Sequence, residues 1–174
     1  MRKPAFARLL AVTGAALLSA TVAAPPASAA PVRAFGSVVE AETYDAQHGI
    51  GVLADPAASG GRAVAFSDGD WIRIDSVNFG APGEASGYAT WRSCATGSGV
   101  VDLRLDSPTA TPFLTLQPAG GECAAWYRSS LRLGVATTPT GVHTLYLHAR
   151  SDSRCAFYRL DSLQMIKQTV PPIP

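Results

Sequence analysis

Residues 100–106 alternate strictly: Val101, Leu103 and Leu105 share one parity, and Asp102, Arg104 and Asp106 the other. Successive side chains of a strand leave on opposite faces, so this pattern fits an extended segment with one face buried. Residues 71–75, Trp-Ile-Arg-Ile-Asp, alternate in the same way. Residues 129–133 set Leu131 and Leu133 against Ser130 and Arg132. Residues 142–149 set Leu145, Leu147 and Ala149 against Thr144, Tyr146 and His148, and residues 156–166 are a further candidate strand. Turn formers punctuate these runs: Ser59-Gly60-Gly61, Ser67-Asp68-Gly69-Asp70, Ala81-Pro82-Gly83, Asp106-Ser107-Pro108, Ala119-Gly120-Gly121 and Pro139-Thr140-Gly141. Each offers the φ freedom of glycine or the fixed φ of proline. No amphipathic helix follows residue 30. The pattern predicts an all-β fold, a two-sheet antiparallel β-sandwich.

The first 29 residues stand apart. Arg2, Lys3 and Arg8 flank an apolar run over 9–24, and Pro25-Pro26-Ala27-Ser28-Ala29 supplies an A-x-A cleavage signal before Ala30. This is the pattern of a secretory signal peptide. A membrane anchor fits less well, because the run falls short of about 18 residues and a small-residue site follows at once. The expected product is secreted and extracellular, with a short linker at 30–37, the sandwich at 38–167 and a Pro-rich tail at 168–174. Loss of the leader's three basic residues turns the formal charge of +1 slightly negative. That balance argues against nucleic acid or a membrane surface as partner.

Three cysteines remain: Cys94, Cys123 and Cys155. Export favours a disulfide. Any of the three pairings is open, and the leftover thiol could stay free or pair between chains. No C-x-x-C spacing points to zinc or to thioredoxin-type chemistry.

A set of short segments then carries a resemblance. In order they are Val39-Glu40-Ala41-Glu42, Gly69-Asp70-Trp71, residues 103–108 (Leu-Arg-Leu-Asp-Ser-Pro), residues 141–147 (Gly-Val-His-Thr-Leu-Tyr-Leu) and Leu160-Asp161. Together they resemble the family 6 carbohydrate-binding modules, over about residues 38–166. The resemblance implies a β-jelly roll and a non-catalytic module that binds an extracellular polysaccharide or cell-wall glycan. It also implies a structural calcium held by Glu40, Glu42 and Asp161. Glu40 and Glu42, two residues apart, would share a face if both lay on a strand. Ca²⁺ suits such a site because it takes 6–8 oxygen ligands, and carbonyls of the 60–62 turn are candidates to complete it.

Sugars present apolar C–H faces and polar rims, which aromatic platforms and hydrogen-bonding groups recognise. The family's loop-end clamp uses an aromatic before the G-D-W turn, a Trp three residues before a core Trp, and an Asn two residues before the late Asp. This chain has Ala65, Cys123 and Arg159 there. One reading rebuilds the site around Arg159 as polar anchor, with Phe66, Trp91 or Tyr127 as platforms. An arginine would suit a carboxylated sugar. The other reading loses the cleft, closed by Cys123 bonded to Cys94 or Cys155, and leaves a protein-interaction or structural module. Trp71 and Trp126 are expected in the core.

Catalysis is not expected. His48, His143 and His148 lack a G-x-S-x-G or H-E-x-x-H context. Asp68 and Asp70 sit in one tight turn rather than across a cleft, as a glycosidase pair would.

Overall fold

The computed structural model describes residues 31–81, 87–95, 97–117, 123, 125–133, 139–152 and 157–167. The expected signal peptide, Cys155 and the Pro-rich tail lie outside the described residues. The alternating segments form strands: β1 (Val38–Glu40), β2 (Ala46–His48), β3 (Gly51–Ala54), β4 (Arg62–Phe66), β5 (Trp71–Asn78) and β6 (Gly87–Ala95). They continue as β7 (Val100–Leu105), β8 (Leu114–Leu116), β9 (Tyr127–Arg132), β10 (Val142–Arg150) and β11 (Tyr158–Lys167). A 3₁₀ turn, Ala41–Thr43, follows β1 directly. Glu42 therefore sits on that turn and not on a strand beside Glu40.

Two antiparallel sheets result. One runs β2-β5-β10-β7-β8; the other runs β3-β4-β11-β6-β9, with β1 also on β11. β4 pairs with Tyr158–Leu160 and β1 with Ser162–Gln164, so the two short strands share one edge of β11 end to end. β6 covers the whole opposite edge, with a register shift between Leu160 and Ser162. Asp161 is the extra residue of that bulge. Bulges re-aim a side chain, and this one falls where β1 and β4 meet.

The core lies between the sheets. Ile72, Ile74, Val101, Leu103, Leu145 and Leu147 face Val64, Phe66, Tyr158, Leu160 and Leu163, all buried. These are the parities read from the alternation. Leu131 departs from it: it lies on edge strand β9 and is 43% exposed, while Leu133 is buried. An inward parity at a sheet edge does not guarantee cover.

At the far end of β7, Asp106 takes a left-handed conformation (φ 58°), which Asp tolerates better than most residues. Its carboxylate accepts from the Thr144 amide at 3.0 Å and faces His143 Nδ1 at 2.8 Å. His143 Nε2 faces the Thr140 carbonyl at 2.8 Å. Both ring nitrogens meet pure acceptors, so both must carry protons, and His143 is an imidazolium in this arrangement. The hydrogen bond to Asp106 raises the His143 pKa above its ordinary value against the opposing effect of burial. The same bond lowers that of Asp106. A raised histidine stabilises the fold below its unfolded pKa, and that contribution is lost as pH rises through the folded value. Thermal denaturation from about pH 6 to pH 8 should therefore show a decline in stability of no more than about 1 kcal/mol. The decline should be absent in His143→Asn.

Candidate functional site

The loop-end residues separate into core and surface. Phe66 is fully buried and packs edge-on to Tyr158 (centroids 6.5 Å apart); Trp91 is 5% exposed. Neither presents a face to a ligand, which corrects their assignment as platforms. Each has the parity of the inner face, where burial of a large aromatic outweighs any other use. Arg159 is half-buried on the outer face, between Ala65 of β4 and Cys94 of β6. Its guanidinium has no hydrogen bond or ion pair to a described residue. Tyr127 is 41% exposed but pairs with Ser93, one residue from Cys94. Opposite parity sends Tyr127 and Arg159 to opposite faces of the sheet. Beside Arg159, Cys94 is bonded to Cys123, with Cα atoms 5.0 Å apart. A disulfide thus occupies the position where the family clamp carries its tryptophan.

The carboxylates of the expected metal site gather around the 57–60 turn. Asp161 is fully buried. Its Oδ1 accepts from the Ser59 amide at 2.9 Å and lies 2.8 Å from Ser59 Oγ; its Oδ2 accepts from Arg92 Nη1 at 2.9 Å. Arg92 also donates to the Ala57 carbonyl at 2.7 Å, and its guanidinium lies 5.7 Å from the centre of the Trp126 ring. Ser59 Oγ is at the same time 2.6 Å from Glu40 Oε2. A hydroxyl has one proton and cannot donate to two carboxylates at once. Glu42 leans on Gly60 so closely that a Cβ there would overlap Oε1, and its Oε2 is buried with no partner. Arg92 pairs with Asp161 alone, so the charges of Glu40 and Glu42 have no ion-pair partner among the described residues. Among the described residues, no three Asp, Glu, His or Cys side chains converge tightly enough to hold a metal unaided.

The outer face of the five-stranded sheet holds the second concentration of chemistry. Trp71 lies here, half-buried, on the parity of Arg73 and Asp75. His48 stacks on it at 6.2 Å and 17°, and Tyr146 meets it edge-on at 5.9 Å. Trp71 is therefore not a core residue, and the alternation of residues 71–75 already carried that signal. Trp126 is also only partly buried, its indole donating to Asp55 at 3.1 Å.

Next to these aromatics, Asp102 is 1% exposed. It accepts from Arg150 Nε (2.6 Å), Arg104 Nη2 (2.9 Å) and Thr115 Oγ1 (2.9 Å). Burial alone would raise its pKa, but the bonds from Arg150, Thr115 and Arg104 outweigh that and hold it low. Asp102 stays ionised and anchors two guanidiniums in fixed poses on the face. Burial, reinforced by the Arg104 charge, pushes His148 down, so its ring is neutral at neutral pH. The whole surface has apolar rings in its middle and fixed donors around them. That combination meets both the C–H faces and the hydroxyls of a sugar.

A family model described as carbohydrate binding module (family 6) matches residues 40–167. The chain belongs to that family. Its fold is shared by a family 6 module from Clostridium cellulolyticum in complex with xylose (28% identity, TM-score 0.63, covering 75% of this chain and 97% of that one). A module from Clostridium stercorarium in complex with cellobiose matches at 20% identity and TM-score 0.64, over 79% and 98% of the two chains. A family 43 arabinoxylan arabinofuranohydrolase from Bacillus subtilis matches at 23% and TM-score 0.66, over 76% of this chain but 27% of the enzyme. The chain therefore spans about a quarter of that enzyme's length. No curated protein matches it.

Asp161 tests the first of these clusters. Removing the cation from a fully buried carboxylate leaves its charge uncompensated. Arg92→Ala should cost about 3 kcal/mol in urea denaturation, and Arg92→Lys should recover part of it.

Proposed function

We propose that this module binds a neutral polysaccharide on the outer face of the five-stranded sheet, and not at the clamp positions Ala65, Cys123 and Arg159. The single observation that carries the reading is Trp71, presented on that face between His48 and Tyr146. It supplies a flat apolar platform, while Arg73, Arg104 and His148 lie within reach of sugar hydroxyls. The loop-end positions that would otherwise provide a clamp hold Ala65, the Cys94–Cys123 disulfide and Arg159. Relatives of the same fold are described with xylose, cellobiose and β-1,3-glucan, all uncharged, which supports a neutral ligand. The chain itself performs no chemistry on the glycan in this reading. Its leader-like N-terminus supports action outside the cell.

Affinity electrophoresis against neutral and acidic polysaccharides tests the proposal. Retardation by a xylan or β-glucan is expected, weakened at least about tenfold in Trp71→Ala, as for a central aromatic anchor. A second reading rests on the Arg159 guanidinium, which has no partner among the described residues. Its signature is retardation by an acidic polymer alone, abolished in Arg159→Ala.

We further propose that Glu40, Glu42 and Asp161 hold a structural Ca²⁺, with Ser59 Oγ and loop carbonyls as additional oxygens. The hydroxyl shared between two carboxylates, the orphaned Glu42 Oε2 and the uncompensated charge all support a divalent cation. Such an ion would tie the start of the sandwich to its last strand. Millimolar calcium should raise the melting temperature by about 5 °C over a chelated sample. Glu42→Gln should erase the difference.

A further inference from the structure

The outer face does not end at Trp71. Register arranges its side chains in rows across the strands. Arg73, Tyr146 and Arg104 form one row; Trp71, His148, Asp102 and Thr115 form the next. A further step of two residues, about 7 Å, reaches Arg150 of β10 and its partner Val100 of β7. There the ends of the strands and four loops enclose an open cavity of about 430 Å³, lined by Asp68, Val100, Gln117, Arg150, Ser151 and Asp152 among others. Small-molecule sites occupy roughly 300–1,000 Å³.

The walls of this cavity are held in place. Asp68 Oδ1 accepts from the Ser151 amide at 2.9 Å, and Ser151 Oγ donates to the Ser98 carbonyl at 2.5 Å. The Gly69 amide donates to the Ala149 carbonyl at 3.1 Å, pinning the 67–70 turn to the end of β10. Arg150 is fixed by Asp102 behind it. In contrast, the exposed Gln117 amide and Asp152 carboxylate make no hydrogen bond to a described residue. Rigid walls with uncommitted polar groups at the rim suit a hydroxylated ligand, because little ordering is needed on binding.

We propose that this cavity is a second saccharide subsite, continuous with the aromatic face, which takes the sugar residue following the one on Trp71. The inference rests on the face reading given above. Gln117 offers a donor and an acceptor to hydroxyls, and Asp152 offers acceptors. Val100 supplies the apolar contact. Asp102 carries one negative charge against the guanidiniums of Arg104 and Arg150; with Asp68 and Asp152 added, the group is negative by one charge. That disfavours a uronate and favours a neutral sugar.

Isothermal titration with a ladder of cello- and xylo-oligosaccharides, from the disaccharide to the hexasaccharide, tests it. Wild-type affinity should rise about tenfold between the disaccharide and the tetrasaccharide, as two or three added hydrogen bonds would give. In the double variant Gln117→Ala/Asp152→Ala, the ratio of the two affinities should fall to near one. The Gln117 side-chain amide signals should shift in NMR spectra with the longer ligands only. A flat ladder in the wild type, or an unchanged ratio in the double variant, overturns the subsite. Wild-type affinity in Trp71→Ala overturns the face reading separately, since the double variant still reports on the cavity. No binding of any oligosaccharide overturns both.

Discussion

The buried carboxylate of Asp161 is the contact on which the arrangement of this sandwich turns. It sits at the bulge of β11, at the point where β1 ends and β4 begins along the same edge. A carboxylate with no exposure is costly unless each of its oxygens is met. Ser59 meets one and Arg92 the other. Through these two residues, the 55–61 turn and β6 are drawn to the last strand. The N-terminal strand joins the same knot through Glu40. A three-residue strand at a sheet border makes few contacts of its own; here it is tied to the middle of the longest strand.

Asp102 has a comparable place in the other sheet, with a different outcome. It too is buried and ionised, but its partners Arg104 and Arg150 reach toward solvent. The charge inside fixes the pose of donors outside. Those donors border Trp71 and Tyr146 on one side and the polar cavity on the other. A ligand would meet groups already oriented, so less conformational freedom is lost on binding.

Much of the fold was legible in the alternation. The parities of β5, β7 and β10 place Ile72, Ile74, Val101, Leu103, Leu145 and Leu147 inside, as read. The binding face was less legible, for two reasons. Trp71 was expected in the core from its family position, although its own parity matched Arg73 and Asp75. The family position argued for burial, and register decided against it. Phe66 failed in the opposite sense: its place beside the family's aromatic position suggested a loop site, but pairing sets it on the inner face, where Trp91 also lies. The part played by Asp102 left little local trace, because its partner Arg150 lies 48 residues away. An acid at an outward parity reads as solvated until the second strand is known. The bulge at Asp161 was equally hidden, since only pairing with β6 reveals the extra residue.

The order of the strands has a consequence for solubility. Each sheet is open, so among the described residues five strands carry unpaired backbone groups at the borders: β2 and β8 in one, β1, β3 and β9 in the other. Such borders can recruit strands from other molecules. In this protein β1, β2 and β8 are three residues long and β3 four, too short to template an extended ladder. The one longer border, β9, carries exposed Arg128 beside its exposed Tyr127 and Leu131. A cation on that border makes the stacking of two copies edge to edge unfavourable, so a sandwich with a bare apolar pair at its margin can still stay dispersed.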